Sequence, residues 1–191
     1  MITVLLLDSV PDIARFRELV SIFDYVHVFD YAIKTQNERD IVKEIAEIYP
    51  YKIFIRTSKP EYYYDLPIGI HIMGYVKSQV TLSFDNPKSF SVHSLAEIPY
   101  EIPMNTVKVF VSPVFKPISK DKKAIPLFEQ KEMVNKLRGR GVRKIIALGG
   151  ITTDNAMKAI DRGFDGIAFY SAFKGNPNAV LRWLETIKET A

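Results

Sequence analysis

The sequence contains no cysteine, which excludes a disulfide framework and any zinc site built on thiolates. With 9 glycines and 11 prolines in 191 residues it is neither collagen-like nor low in complexity. Net charge is slight: 26 Lys and Arg against 22 Asp and Glu leave +4. That excess suits a small anionic ligand and is too weak for a nucleic-acid surface. No apolar run approaches the roughly 20 residues that a membrane-spanning helix needs. Residues 1–7 are apolar but run into Asp8 with no basic lead and no small-residue cleavage site, so they are expected to be a strand and not a signal peptide. Hydrophobic residues make up 47% and charged residues 25% of the chain, which excludes disorder. The expectation is one cytoplasmic domain spanning 1–191, with no nucleic-acid or membrane partner.

What the chain does have is alternation. Apolar runs of strand length fall at 2–7, 25–31, 52–56, 68–73, 89–93, 107–112, 144–148 and 166–170. They are rich in Val, Ile, Phe and Tyr, and several are apolar almost throughout, as strands of a parallel sheet covered on both faces must be. Amphipathic runs fall between them at 11–23, 36–48, 127–137, 153–160 and 178–187. Thr35 and Thr152 stand where N-caps belong, and Gly141 and Gly163 where helices end. Three connections, 58–67, 74–88 and 94–106, are poor in helix; the first and last carry Pro60, Pro67, Pro99 and Pro103. Eight βα units in one domain predict an α/β fold, a compact (β/α)8 TIM barrel with shortened crossovers; the rival is an open doubly wound sheet.

In such a barrel the site lies at the C-terminal strand ends. The three histidines, His27, His71 and His93, fall in the second, fourth and fifth strands, and alternation turns His27 inward with Phe29 and Tyr31, and His93 with Ser91. A core histidine satisfied by a hydroxyl or carbonyl is the plain reading of each, and a three-histidine zinc site is the other alternative. After the sixth strand, Ser112–Lys120 supplies lysines and hydroxyls that could close over a phosphate, or be a solvated basic loop. The seventh strand ends in Gly149-Gly150 and the eighth in Tyr170-Ser171. Amides at Gly150 and Ser171 could cradle a phosphate there, the position barrels often use; a tight turn is the plain alternative.

These segments, in this order, resemble the thiamine-phosphate synthase superfamily, which includes the TenI-like thiazole tautomerases. Gly69-Ile70-His71-Ile72 is similar to the family's Gly-Val-His-Leu strand, and Ser91-Val92-His93-Ser94-Leu95-Ala96-Glu97 to its Ser-x-His-Ser-x-x-Glu segment. Ser112–Lys120, Ala147–Asn155 and Gly166–Ala172 resemble its phosphate loops. The resemblance implies a thiazole-phosphate cradle at Gly149, Gly150, Tyr170 and Ser171, and diphosphate contacts at Ser91, Ser119 and Lys120, with Pro117 at a position where the family has threonine. The family's polar second strand, Gln-x-Arg-x-Lys, is replaced by His27, Phe29 and Tyr31; its magnesium-binding Asn-Asp is replaced by Arg56-Thr57, and a later Asp by Val76. A histidine often found on the sixth strand is Pro113 here.

The resemblance therefore implies a TenI-like enzyme of thiamine biosynthesis that moves a proton on a thiazole phosphate. His27 is the first candidate base and His93 the second, while His71 and Arg56 join the ligand-binding set. It implies no cofactor, and magnesium only for the alternative, a divergent synthase joining a pyrimidine diphosphate to the thiazole phosphate with Arg56, Lys116 and Lys120 in the metal's place. Two further alternatives are a non-catalytic thiazole-phosphate binder and a barrel for another phosphorylated substrate. A homodimer is expected by analogy with other barrels.

Overall fold

The computed structural model describes residues 1–74, 84–117 and 121–189. Eight strands pair in parallel and in sequence order, and the last pairs with the first to close a barrel. They are β1 (Ile2–Leu7), β2 (Tyr25–Phe29), β3 (Ile53–Thr57), β4 (Gly69–Ile72), β5 (Lys88–Val92), β6 (Thr106–Val111), β7 (Ile145–Ala147) and β8 (Gly166–Phe169). Helices α1 (Ile13–Ile22), α2 (Gln36–Ile48), α3 (Leu127–Gly139), α4 (Ala156–Asp161), α5 (Ser171–Gly175) and α6 (Pro177–Glu189) make up the outer layer. The open-sheet alternative is overturned by the β1–β8 ladder.

Local chemistry fixes these helices. Thr35 caps α2 with a reciprocal pair: its Oγ1 accepts from the Glu38 amide at 3.3 Å, and Glu38 Oε2 accepts from the Thr35 amide at 2.8 Å. The buried face of α2 is Val42, Ile45 and Ala46, while Ile48 is exposed. The cap of α4 is Asn155 and not the expected Thr152. The Asn155 side chain instead accepts from the Thr152 amide and donates to the Gly150 carbonyl, which ties down the turn after β7. Gly141 and Gly163 take φ of 83° and 95° just past α3 and α4. Two of the proline-bearing connections hold single 3-10 turns, Pro60–Tyr63 and Leu95–Glu97; most of the connection at 74–88 lies outside the described residues.

Inward side chains stack in layers of four drawn from alternate strands, the arrangement that fills a barrel of eight strands. His27, His71, Phe110 and Ala168 form the central layer, with the His27, His71 and Phe110 rings 5.0–5.4 Å apart. Phe54 and Ser89 lie below it, stacked on His27 at 4.9 Å and 3.0 Å from His71 Nδ1. Leu6, Arg56, Ser91 and Leu148 lie above it and form the floor of the site. The outward faces of the strands meet the helices in the larger core, which includes Leu5, Ile55, Val109 and Leu184.

Candidate active site

A cavity of about 510 Å³ opens at the C-terminal ends of the strands. Its wall includes His71, His93, Arg56, Ser91, Gly149, Gly150, Tyr170 and Ser171, so the structure brings these eight expected residues together. Ser119 and Lys120 lie outside the described residues. His27 is the exception: it is fully buried in the layer beneath the floor and does not line the cavity. The wall contributed by β2 is Phe29 instead. Alternation turned His27 inward as expected, but the floor layer closes over it. Neither of its ring nitrogens has a hydrogen-bond partner among the described residues. Burial, then the charges of Lys108 and Arg56, hold its imidazole well below the ordinary range, so it is neutral.

His93 follows the end of β5 and reaches the cavity. Its Nδ1 lies 2.7 Å from the Ser112 carbonyl oxygen, which can only accept, so Nδ1 carries a proton, and in the neutral ring the lone pair is on Nε2. Glu97 Oε2 accepts from the His93 amide at 2.8 Å and holds the turn behind it. His71 is held from both sides: Nδ1 is 3.0 Å from Ser89 Oγ and Nε2 is 3.2 Å from Ser91 Oγ. Burial, then the charges of Arg56 and Lys108, hold it well below the usual histidine range. The hydroxyls therefore serve a neutral ring, one donating and one accepting.

Tyr170 donates to Asp8 Oδ2 at 3.1 Å, and Lys174 donates to the same oxygen at 2.7 Å. Burial and Asp8 push the Tyr170 phenol up to about 12, which keeps it protonated. Gly149 and Gly150 have φ of 92° and 66°. A Cβ at Gly149 would lie 2.7 Å from Pro113 Cβ, and one at Gly150 would lie 2.6 Å from the Lys116 carbonyl oxygen. The glycines are thus required where the loop after β6 crosses the turn after β7, with Phe115 N–H donating to the Gly149 carbonyl at 3.0 Å. Among the described residues the Gly150 amide has no protein acceptor. Lys122 reaches the same cavity.

Two cationic side chains shape the interior. Arg56 is 7% exposed, its Cζ lying 5.2 Å from the centre of the Phe29 ring and 5.7 Å from that of Phe110. Its Nε and Nη1 are buried without a hydrogen-bond partner among the described residues. Burial lowers the guanidinium to about 9, with Tyr31 opposing, so it stays charged at neutral pH. Lys108, near the bottom of the barrel, escaped the motif reading; its alternation with Phe110 and Ser112 in the sixth run was the signal that could have found it.

The residues do not fit the magnesium ion that the family resemblance implies for synthase chemistry. The position of the expected acidic ligands is a buried arginine, and no cluster of three or more potential metal ligands occurs among the described residues. Glu97, the carboxylate on the cavity wall among those residues, is engaged by the His93 amide.

No family model matches the chain. A thiamine-phosphate synthase of Staphylococcus saprophyticus is 27% identical over 115 residues, 60% of this chain and 50% of that protein. The chain thus matches about half the length of this curated relative. Among solved structures, a thiamine phosphate pyrophosphorylase from Pyrococcus furiosus aligns with a TM-score of 0.68 at 18% identity, over 98% of this chain and 94% of that one. One from Bacteroides thetaiotaomicron aligns with a TM-score of 0.64 at 19% identity, over 98% and 97%. At these identities the structural likeness shows the fold. Together with the sequence match, it directs the resemblance to the thiamine-phosphate synthase/TenI-like superfamily.

Proposed function

We propose that this barrel binds a small phosphorylated heterocycle of the thiazole-phosphate type and acts as a TenI-like tautomerase, with His93 as its base. The phosphate belongs in the loops after β7 and β8, at Gly150, Ser171 and Lys122; these line the same cavity. The ring then lies toward the floor, near His93. The observation that carries the reading is the fixed tautomer of His93: Nδ1–H is committed to the Ser112 carbonyl, and Nε2 is a lone-pair donor at the cavity. Nε2 removes a proton from one ring atom, the imidazolium is held by the same carbonyl, and the proton returns to another atom of the conjugated system. The ring becomes aromatic with no net gain or loss of protons. His27 is sealed from any ligand in the cavity and takes no part in this chemistry.

The test is His93→Asn and His27→Leu, followed by the ultraviolet change on aromatisation and by calorimetry with thiazole phosphate. General base catalysis is worth about 10²–10⁴ in rate, so His93→Asn is expected to lose at least about a hundredfold in turnover and to keep its affinity within about threefold. Unchanged turnover in His93→Asn sinks the reading, and loss of turnover in a folded His27→Leu returns the base to His27. The name of the curated relative favours a second reading, a divergent synthase. Diphosphate released from a mixture of pyrimidine diphosphate and thiazole phosphate would establish that instead. Tight binding of thiazole phosphate without turnover of either kind would leave a non-catalytic binder.

A further inference from the structure

The upper barrel gathers basic side chains around a ligand cavity, yet among the described residues it gives them no carboxylate partner. His71 is neutral and saturated by two hydroxyls. Lys108 and His27 are sealed below the floor. Arg56 joins a formal charge to a place on the cavity wall, and its Nε and Nη1 have no acceptor among the described residues. The Phe29 and Phe110 rings flank the guanidinium, covering it with apolar surface and supplying no hydrogen-bond acceptor. A buried cation with unmet N–H groups is costly, and a ligand anion removes that cost as it binds.

We propose that Arg56 is the direct counter-charge for a second anionic group of the substrate, bound without a divalent metal ion, on the floor opposite the phosphate loops. The proposal deepens the reading above and rests on it only for the choice of cavity; it uses neither His93 nor the β7 and β8 loops. The shared chemistry is a pair of anionic oxygens, supplied by a ring carboxylate or by the diphosphate of a second substrate. Charge matching favours the carboxylate, because one guanidinium beside a neutral His71 and the Ser91 hydroxyl balances one negative charge, whereas a diphosphate brings several.

Isothermal titration calorimetry of the full chain with benzoate and with inorganic diphosphate, each in EDTA and in excess magnesium, tests this. At least one of the two is expected to bind in EDTA with an affinity that magnesium does not change. Arg56→Met is expected to weaken it by at least about tenfold, the worth of one charge-assisted pair, and Arg56→Lys to recover part of the loss. A thermal melt of Arg56→Met no lower than wild type shows that the fold is intact, since an unpaired buried charge has been removed. Benzoate binding assigns a carboxylate, and diphosphate binding alone assigns the second-substrate source. Binding that survives in Arg56→Met, binding that requires magnesium, or binding of neither anion overturns the proposal. Thiazole phosphate titrated in parallel separates the two readings. Failure of wild type to bind it while Arg56 still governs the second anion sinks the thiazole-phosphate reading alone; the converse sinks this one alone.

Discussion

Replacing Lys108 by methionine should stabilise the protein. Lys108 is fully buried on β6, and its Nζ has no hydrogen-bond partner among the described residues. It sits 3.0 Å from the centre of the Phe54 ring and 3.7 Å from that of Tyr25. Two effects compete there. Cation–π attraction favours the charged amine by about 2 kcal/mol for a desolvated contact. Removing an ammonium from water costs several kcal/mol, and Lys144 and Arg56 repel it further. Desolvation wins, so burial holds the amine well below the usual lysine range. Methionine has a similar length and no charge to desolvate, and it keeps the contact with both rings. The gain expected at neutral pH is on the order of 1–3 kcal/mol, or about 2–4 °C in Tm for each kcal/mol in a chain of this size. The sign with pH is diagnostic. The folded state binds fewer protons than the unfolded state between the lowered folded value and about 10.5, so wild-type stability rises with pH through that interval. The advantage of Lys108→Met should therefore shrink as pH rises through that interval. Differential scanning calorimetry across that range measures it. A variant that melts below wild type, or an advantage that grows with pH, would refute the claim that desolvation outweighs the aromatic contacts.

Gly150→Ala is expected to destabilise by about 2–4 kcal/mol, because a left-handed φ and a contact with the Lys116 carbonyl both oppose a Cβ, and to weaken phosphate binding in the same titration. Buried neutral His27 and His71 should make the protein acid-labile. The unfolded chain takes up their protons below about pH 6.5 and the folded chain does not, so stability falls with falling pH by up to about 1.4 kcal/mol per pH unit for each ring. Urea melts from pH 7.5 to pH 4.5 should show that limb, and His27→Leu should make it shallower; an unchanged slope would mean that His27 does not remain neutral in the fold.

The barrel was legible because its physics is local. A strand covered on both faces must be apolar throughout, and eight such runs separated by amphipathic ones leave few other closed arrangements. Pro60 and Pro99 marked the curtailed crossovers for the same reason, since neither can sit in the interior of an α-helix. Helix α5 was missed because five residues, Ser171–Gly175, are too short to display a period. The edges of the strands drifted by a residue or two, as with β2, where Asp30–Ala32 is a 3-10 turn.

The site was legible only in part, and His27 shows why. Alternation decides whether a side chain points into a barrel; it does not decide how deep the side chain lies. Depth depends on the stagger between strands, a property of the closed sheet that no single segment carries. His27 and His71 share a layer, yet His71 reaches the cavity and His27 does not. His27 has Leu6 and Phe54 as its register partners, while His71 has Arg56 and Ser89, and it bonds to hydroxyls below and above. The same stagger puts Lys108, also turned inward, near the barrel bottom and Arg56 on the floor. Two cations that look alike in the sequence are thereby given opposite consequences: one has no route to a counter-ion, so its removal stabilises the fold, and the other faces a cavity where a ligand can supply one.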